Sequence, residues 1–110
     1  VKILVVDDHP LILEALHHVL KQLDAGVDVR GAQTAEQALA MLRAHPDADL
    51  LLLDIGLPGI DGLDLLATVR AEHPALPAVV LSASDARENV MRAIDLGAMG
   101  FIPKSSSNQV

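Results

Sequence analysis

Asp7 and Asp8 follow the apolar run "KILVV", Asp54 follows "LLLL", Ser82 closes "AVVL", and Lys104 comes directly after "GFIP". Carboxylates brought together repel, so either their pKa values rise or a cation sits among them. A small set of oxygen ligands suits Mg²⁺, which keeps several waters and takes one or two carboxylates. Such an ion also orients and charge-balances an incoming phosphoryl group. A lysine ammonium adds positive charge for phosphate oxygens. An aspartate can itself be the acceptor, forming an aspartyl phosphate. Phosphoryl transfer asks the protein mainly for positioning and charge neutralisation.

The elements that must position these groups alternate along the chain. "KILVV" (Lys2 to Val6), "DLLLLD" and "PAVVLSA" read as strands buried on both faces. "VDVRG" is a weaker strand and "AMGFIP" a last one. Between them lie helical patterns. "LILEALHHVLKQL" spaces Ile12, Ala15, Leu16, Val19, Leu20 and Leu23 helically, with Pro10 suited to the first turn. "TAEQALAMLRAH" opens with Thr-x-x-Gln, a capping-box pattern, and ends before Pro46. "DGLDLLATVRAEH" has Asp61 as N-cap, and "DARENVMRAIDLG" closes on Gly97, a C-cap signal. "SSSNQV" suits the start of a fifth helix cut short. Strands alternating with helices predict an α/β fold, a doubly wound parallel sheet covered on both faces. In such sheets ligands bind at the strands' carboxyl edge, where the strand order reverses. If the first and third strands flank that point, Asp7, Asp8 and Asp54 become neighbours.

Bulk properties narrow the function. The 110 residues fit one small domain, and 51% are apolar, enough for a core. The chain has no cysteine, which excludes disulfides and thiolate metal sites. A formal net charge of -7 argues against this segment gripping nucleic acid or an anionic membrane by itself. No apolar run approaches a bilayer span, and the first residues lack a signal-peptide pattern, so a cytoplasmic setting is expected. Val1 already sits in an apolar run and "SSSNQV" is open-ended, which suggests a piece of a longer polypeptide.

The segments "LVVDDHP", "LLLLDIGLPGIDG", "VVLSA" and "GFIPKS", in this order and at these spacings, resemble the receiver domain of two-component response regulators over essentially the whole chain. "GLPGIDG" and "GFIPKS" look most like the transcription-factor subfamily of the LuxR or FixJ (NarL) type. The resemblance implies the flavodoxin-like strand order 2-1-3-4-5, with the fifth helix truncated or absent. It implies Asp54 as phosphoacceptor, Asp8 as a direct Mg²⁺ ligand, Asp7 acting through a water, and the Gly56 backbone carbonyl as the remaining protein ligand. It assigns Lys104 to the phosphoryl oxygens, Ser82 to the switch hydroxyl, and Phe101 to the aromatic whose rotamer follows Ser82. The implied partners are a sensor histidine kinase, a second copy of the domain in a homodimer, and DNA only through a C-terminal domain outside this chain.

Several positions carry other readings. Asp7 suits a solvated N-cap of the first helix, Ser82 a backbone hydrogen bond, and Phe101, the sole aromatic, a plain core residue. His45 and His73 each precede proline at a helix end, where a cation suits the dipole. His9 lies beside the acidic pair. Many receivers have proline directly after the lysine; here Ser105 stands there and Pro103 precedes the lysine, so a cis Lys-Pro bond is excluded. "LLLDIGL" also resembles a haloacid-dehalogenase-type phosphatase motif, but Gly56 stands where that motif needs a second acid. A receiver-like binding module that no longer takes phosphate is the other rival, although this chain keeps all its acids and the lysine. Gly56 and Ser84 present no bulky or acidic side chain, so neither is expected to shield or activate a water attacking the phosphoryl group.

Overall fold

The structure, a computed structural model, describes residues 1–82 and 87–103. Strands β1 (Lys2–Val6), β2 (Asp28–Ala32), β3 (Leu50–Asp54), β4 (Ala78–Ser82) and β5 (Gly100–Pro103) alternate with helices α1 (Pro10–Leu23), α2 (Ala35–Ala44), α3 (Gly62–Glu72) and α4 (Arg87–Asp95). All neighbouring strands are parallel, in the order β2-β1-β3-β4-β5. The expected doubly wound sheet and its strand order are therefore both present. The fifth helix, Lys104 and Ser84 lie outside the described residues. Among those described, no helix is long and apolar enough to cross a membrane.

Local chemistry explains the boundaries. Thr34 Oγ1 accepts from the Gln37 N–H, and Gln37 Oε1 accepts in return from the Gln33 N–H, so the Thr-x-x-Gln pattern caps α2. Asp61 Oδ1 accepts from the Leu63 N–H at the start of α3. At the end of α4, Gly97 takes φ 100°. Its N–H donates to Ile94 O, and the Ala98 N–H to Ala93 O, the paired bonds of a Schellman cap. His45 and His73 are the C-caps of α2 and α3.

Two apolar layers cover the sheet. One unites Leu4, Val6, Leu51, Leu53 and Val80 with Leu42 of α2, Leu66 and Val69 of α3, and Ala93 of α4. The other places Ile3, Val5, Leu52 and Leu81 beneath Leu13, Leu16 and Leu20 of α1. The helix expected from the spacing of its apolar residues is present. Leu13 rather than Ile12 leads the face that meets the sheet, and Val19 and Leu23 are exposed. Helix α1 carries two adjoining apolar stripes, and periodicity alone does not say which one turns inward.

Candidate functional site

β1 and β3 are adjacent, so their carboxyl ends deliver acids side by side. The Asp7 N–H donates to Ala32 O at 3.0 Å, which extends the sheet bonding one residue past β1. Asp54 is the last residue of β3, opposite Leu81, and the following Ile55 N–H bonds Leu81 O. Asp7 and Asp54 are 0% and 2% exposed. A solvated helix cap is thus the wrong reading of Asp7: α1 has His9 at its N-cap, with no side-chain cap bond.

Burying a carboxylate is costly unless donors or cations meet it. The Gly56 N–H donates to Asp54 Oδ1 at 2.8 Å. Asp7 Oδ1 accepts from the His9 N–H at 2.9 Å and lies 2.8 Å from His9 Nδ1. Asp8 Oδ1 is 3.2 Å from the same nitrogen. That oxygen is buried yet takes no hydrogen bond among the described residues. Asp7, Asp8, His9 and Asp54 each offer one ligand atom, and these atoms all lie within 4.8 Å of one another. The donor set and its spacing fit a divalent cation, with oxygen ligands dominant.

The loop after Asp54 keeps the site open. A Cβ on Gly56 would stand 3.3 Å from Asp54 Oδ1, so any side chain there would start against the acid. Gly59 makes the turn with φ 79°. Gly62 matters for another reason: a Cβ there would fall 2.1 Å from Ile55 O, so the start of α3 rests directly on the backbone that follows Asp54. The motif "DIGLPGIDG" contained this glycine, but sequence reasoning gave it no role, because the close approach joins residues that only the fold brings together.

Ser82 ends β4, is 4% exposed, and pairs with Pro103. Phe101 pairs with Val80 and packs, partly buried, against the larger core layer. Parallel pairing puts Ser82 one side-chain step along the same face from Phe101. The structure therefore brings Asp7, Asp8, Asp54 and Gly56 together at one sheet edge with Ser82 on the neighbouring strand, and it adds His9. The signal for His9 was its place in "DDHP", directly after the acids and before a proline.

The sheet is open and parallel with buried acids at the carboxyl ends of its adjacent strands β1 and β3, and residues 3–110 match the response regulator receiver domain. The chain belongs to that family, the receiver domains of two-component response regulators. It is 44% identical over 105 residues to the glycerol metabolism activator of Pseudomonas putida, covering 96% of this chain and 48% of that protein. It is 36% identical over 110 residues to the nitrate/nitrite response regulator NarP of Escherichia coli, covering 99% of this chain and 50% of that protein. The chain thus spans about half the length of these relatives. The second likeness agrees with the LuxR/FixJ (NarL) character of "GLPGIDG" and "GFIPKS". A Burkholderia pseudomallei response regulator, solved with a phosphorylated aspartic acid, calcium ion and citrate, superposes with TM-score 0.85 at 25% identity, covering 96% of this chain and 60% of that one.

Proposed function

We propose that Asp54 takes a phosphoryl group from a phosphohistidine on a partner histidine kinase, and that the domain then switches an output face. The observation that carries this reading is the meeting of Asp7, Asp8 and Asp54 from two strands within one ligand-sized volume. The phosphorylated aspartic acid and calcium ion of the Burkholderia relative support it. An Asp54 carboxylate oxygen forms the new O–P bond as the N–P bond breaks, and the imidazole leaves with the electron pair. Asp8, Asp54 and the Gly56 carbonyl would hold Mg²⁺ directly, and Asp7 would act through a water. When bound, the ion supplies charge neutralisation for the carboxylates and the phosphoryl oxygens.

Lys104 is assigned to the phosphoryl oxygens and Ser82 to the hydroxyl that closes onto the new dianion. Ser82 stands on β4 beside the acids, and Phe101 lies along the same face, which suits a rotamer change coupled to Ser82. Closure of Ser82 onto the dianion would repack the face around α4 and β5, a two-state element biased by a local charge change. The domain's own chemistry is its phosphorylation and slow dephosphorylation; signalling is its role. These residues would serve as the receiver part of a regulator, and a DNA-binding domain outside them would carry the output to transcription, with a receiver homodimer as the switched species. The setting is cytoplasmic, where such a kinase presents its phosphohistidine.

The test is incubation with acetyl phosphate and Mg²⁺, read by intact mass. The wild-type chain should gain one phosphoryl group and Asp54→Asn none. Unchanged labelling of Asp54→Asn would refute the assignment, and turnover of a generic phosphomonoester would favour the phosphatase reading instead.

A further inference from the structure

We infer that His9 is a direct ligand that sets the cation preference of this site, favouring ions that accept nitrogen, such as Mn²⁺ or Co²⁺, beyond what the carboxylates alone would give. The inference rests on the acidic cluster being a cation site. His9 Nδ1 stands 2.8 Å from Asp7 Oδ1 and 3.2 Å from Asp8 Oδ1. Neighbouring ligand atoms on an octahedral ion with bonds of about 2.1 Å are separated by about 3.0 Å. His9 Nδ1 and Asp8 Oδ1 are therefore already spaced as adjacent ligands of one ion, with Asp7 beside them to act through a water.

The ring is also held in place. Pro10 confines the preceding residue to extended backbone, and His9 has φ -95° and ψ 108°. Its N–H is tied to Asp7 Oδ1 at 2.9 Å, so the tether between backbone and site is short. The side chain is 61% exposed, and whether Nδ1 donates or accepts depends on the tautomer; with the proton on Nε2, Nδ1 would present its lone pair to an ion. Imidazole nitrogen suits later first-row ions, whereas Mg²⁺ prefers carboxylate, carbonyl and water. Removing the ring must therefore act unevenly on the two kinds of ion.

The same spacing also serves a plain hydrogen bond, and the experiment separates the two. Mn²⁺ and Mg²⁺ are titrated calorimetrically, in a non-coordinating buffer, into the wild-type chain, His9→Ala, His9→Gln and Asp8→Ala. The Mn²⁺-loaded proteins are then examined by pulsed electron paramagnetic resonance for imidazole nitrogen coupling. Expected are nitrogen coupling in the wild type alone and a Mn²⁺ affinity lowered roughly tenfold or more in both His9 variants, the scale on which supporting residues of metal sites act. Mg²⁺ affinity should stay nearly unchanged, and Asp8→Ala should lose both ions. Absent coupling in the wild type, or equal changes for the two ions in both His9 variants, would overturn the role of His9 alone. A wild type that binds neither ion, or an Asp8→Ala variant that binds both as well, would overturn the cation site itself and this inference with it.

Discussion

Substituting Gly62 by alanine probes the platform beneath Asp54. The added Cβ would meet Ile55 O at 2.1 Å, Ile55 Cα at 2.2 Å and Ile55 C at 2.4 Å. All three are backbone atoms of the residue after Asp54, so no side-chain rotation relieves the overlap. Overpacking costs about 1–3 kcal/mol where neighbours adjust; against rigid backbone the upper end applies, about 3 kcal/mol. Alanine's better helix propensity returns up to about 1 kcal/mol. The net loss is then about 2 kcal/mol. With an unfolding entropy of about 2.1 cal/mol/K per residue, a chain of 110 residues should melt about 9 °C lower. Urea unfolding followed by circular dichroism gives the free energy, and a thermal scan gives the shift. Gly59→Ala is the control: it adds a Cβ with nothing within 4 Å, at φ 79°, so it isolates the left-handed backbone cost of about 1–2 kcal/mol. Because Ile55 must move, Asp54 should also label more slowly with acetyl phosphate in Gly62→Ala. A Gly62→Ala protein as stable as wild type, labelling at the same rate, would refute the reasoning.

Four further outcomes are expected. Leu66→Ala, at a fully buried position of α3, should cost about 2–5 kcal/mol in urea unfolding. Thr34→Ala removes the acceptor for the Gln37 N–H and should cost about 1 kcal/mol by the same assay. The hydrogen bond from Lys2 holds the Asp47 carboxyl below its ordinary pKa. A depressed folded-state pKa gives stability that is full above the unfolded carboxylate value and is lost as pH falls through the folded one, so wild type and Asp47→Asn should converge in urea midpoint only in that acidic window. The difference should be small, because the Asp47 carboxylate is 70% exposed. Gly56→Asn starts a side chain 3.3 Å from Asp54 Oδ1 and, with Ser84→Glu as companion, should alter the dephosphorylation rate; an unchanged rate in both would contradict the idea that these positions leave the phosphoryl group unshielded.

Alternation of buried apolar runs with helical spacing was enough to determine the β-α order, because period and length are local properties of the chain. Caps were legible for the same reason: Thr34, Asp61 and Gly97 act on backbone within a few residues. The acids, Gly56 and Ser82 could be placed at strand ends from sequence, since every strand of a parallel sheet points its carboxyl end the same way. The folded chain decided what depends on distance in space. It put β1 beside β3, buried Asp7 rather than leaving it as a cap, chose Leu13, Leu16 and Leu20 as the inward stripe of α1, seated Gly62 on Ile55, and turned the His9 ring between two carboxylates. These features arise from packing between segments far apart in the chain or from side-chain direction, and neither composition nor periodicity carries that information.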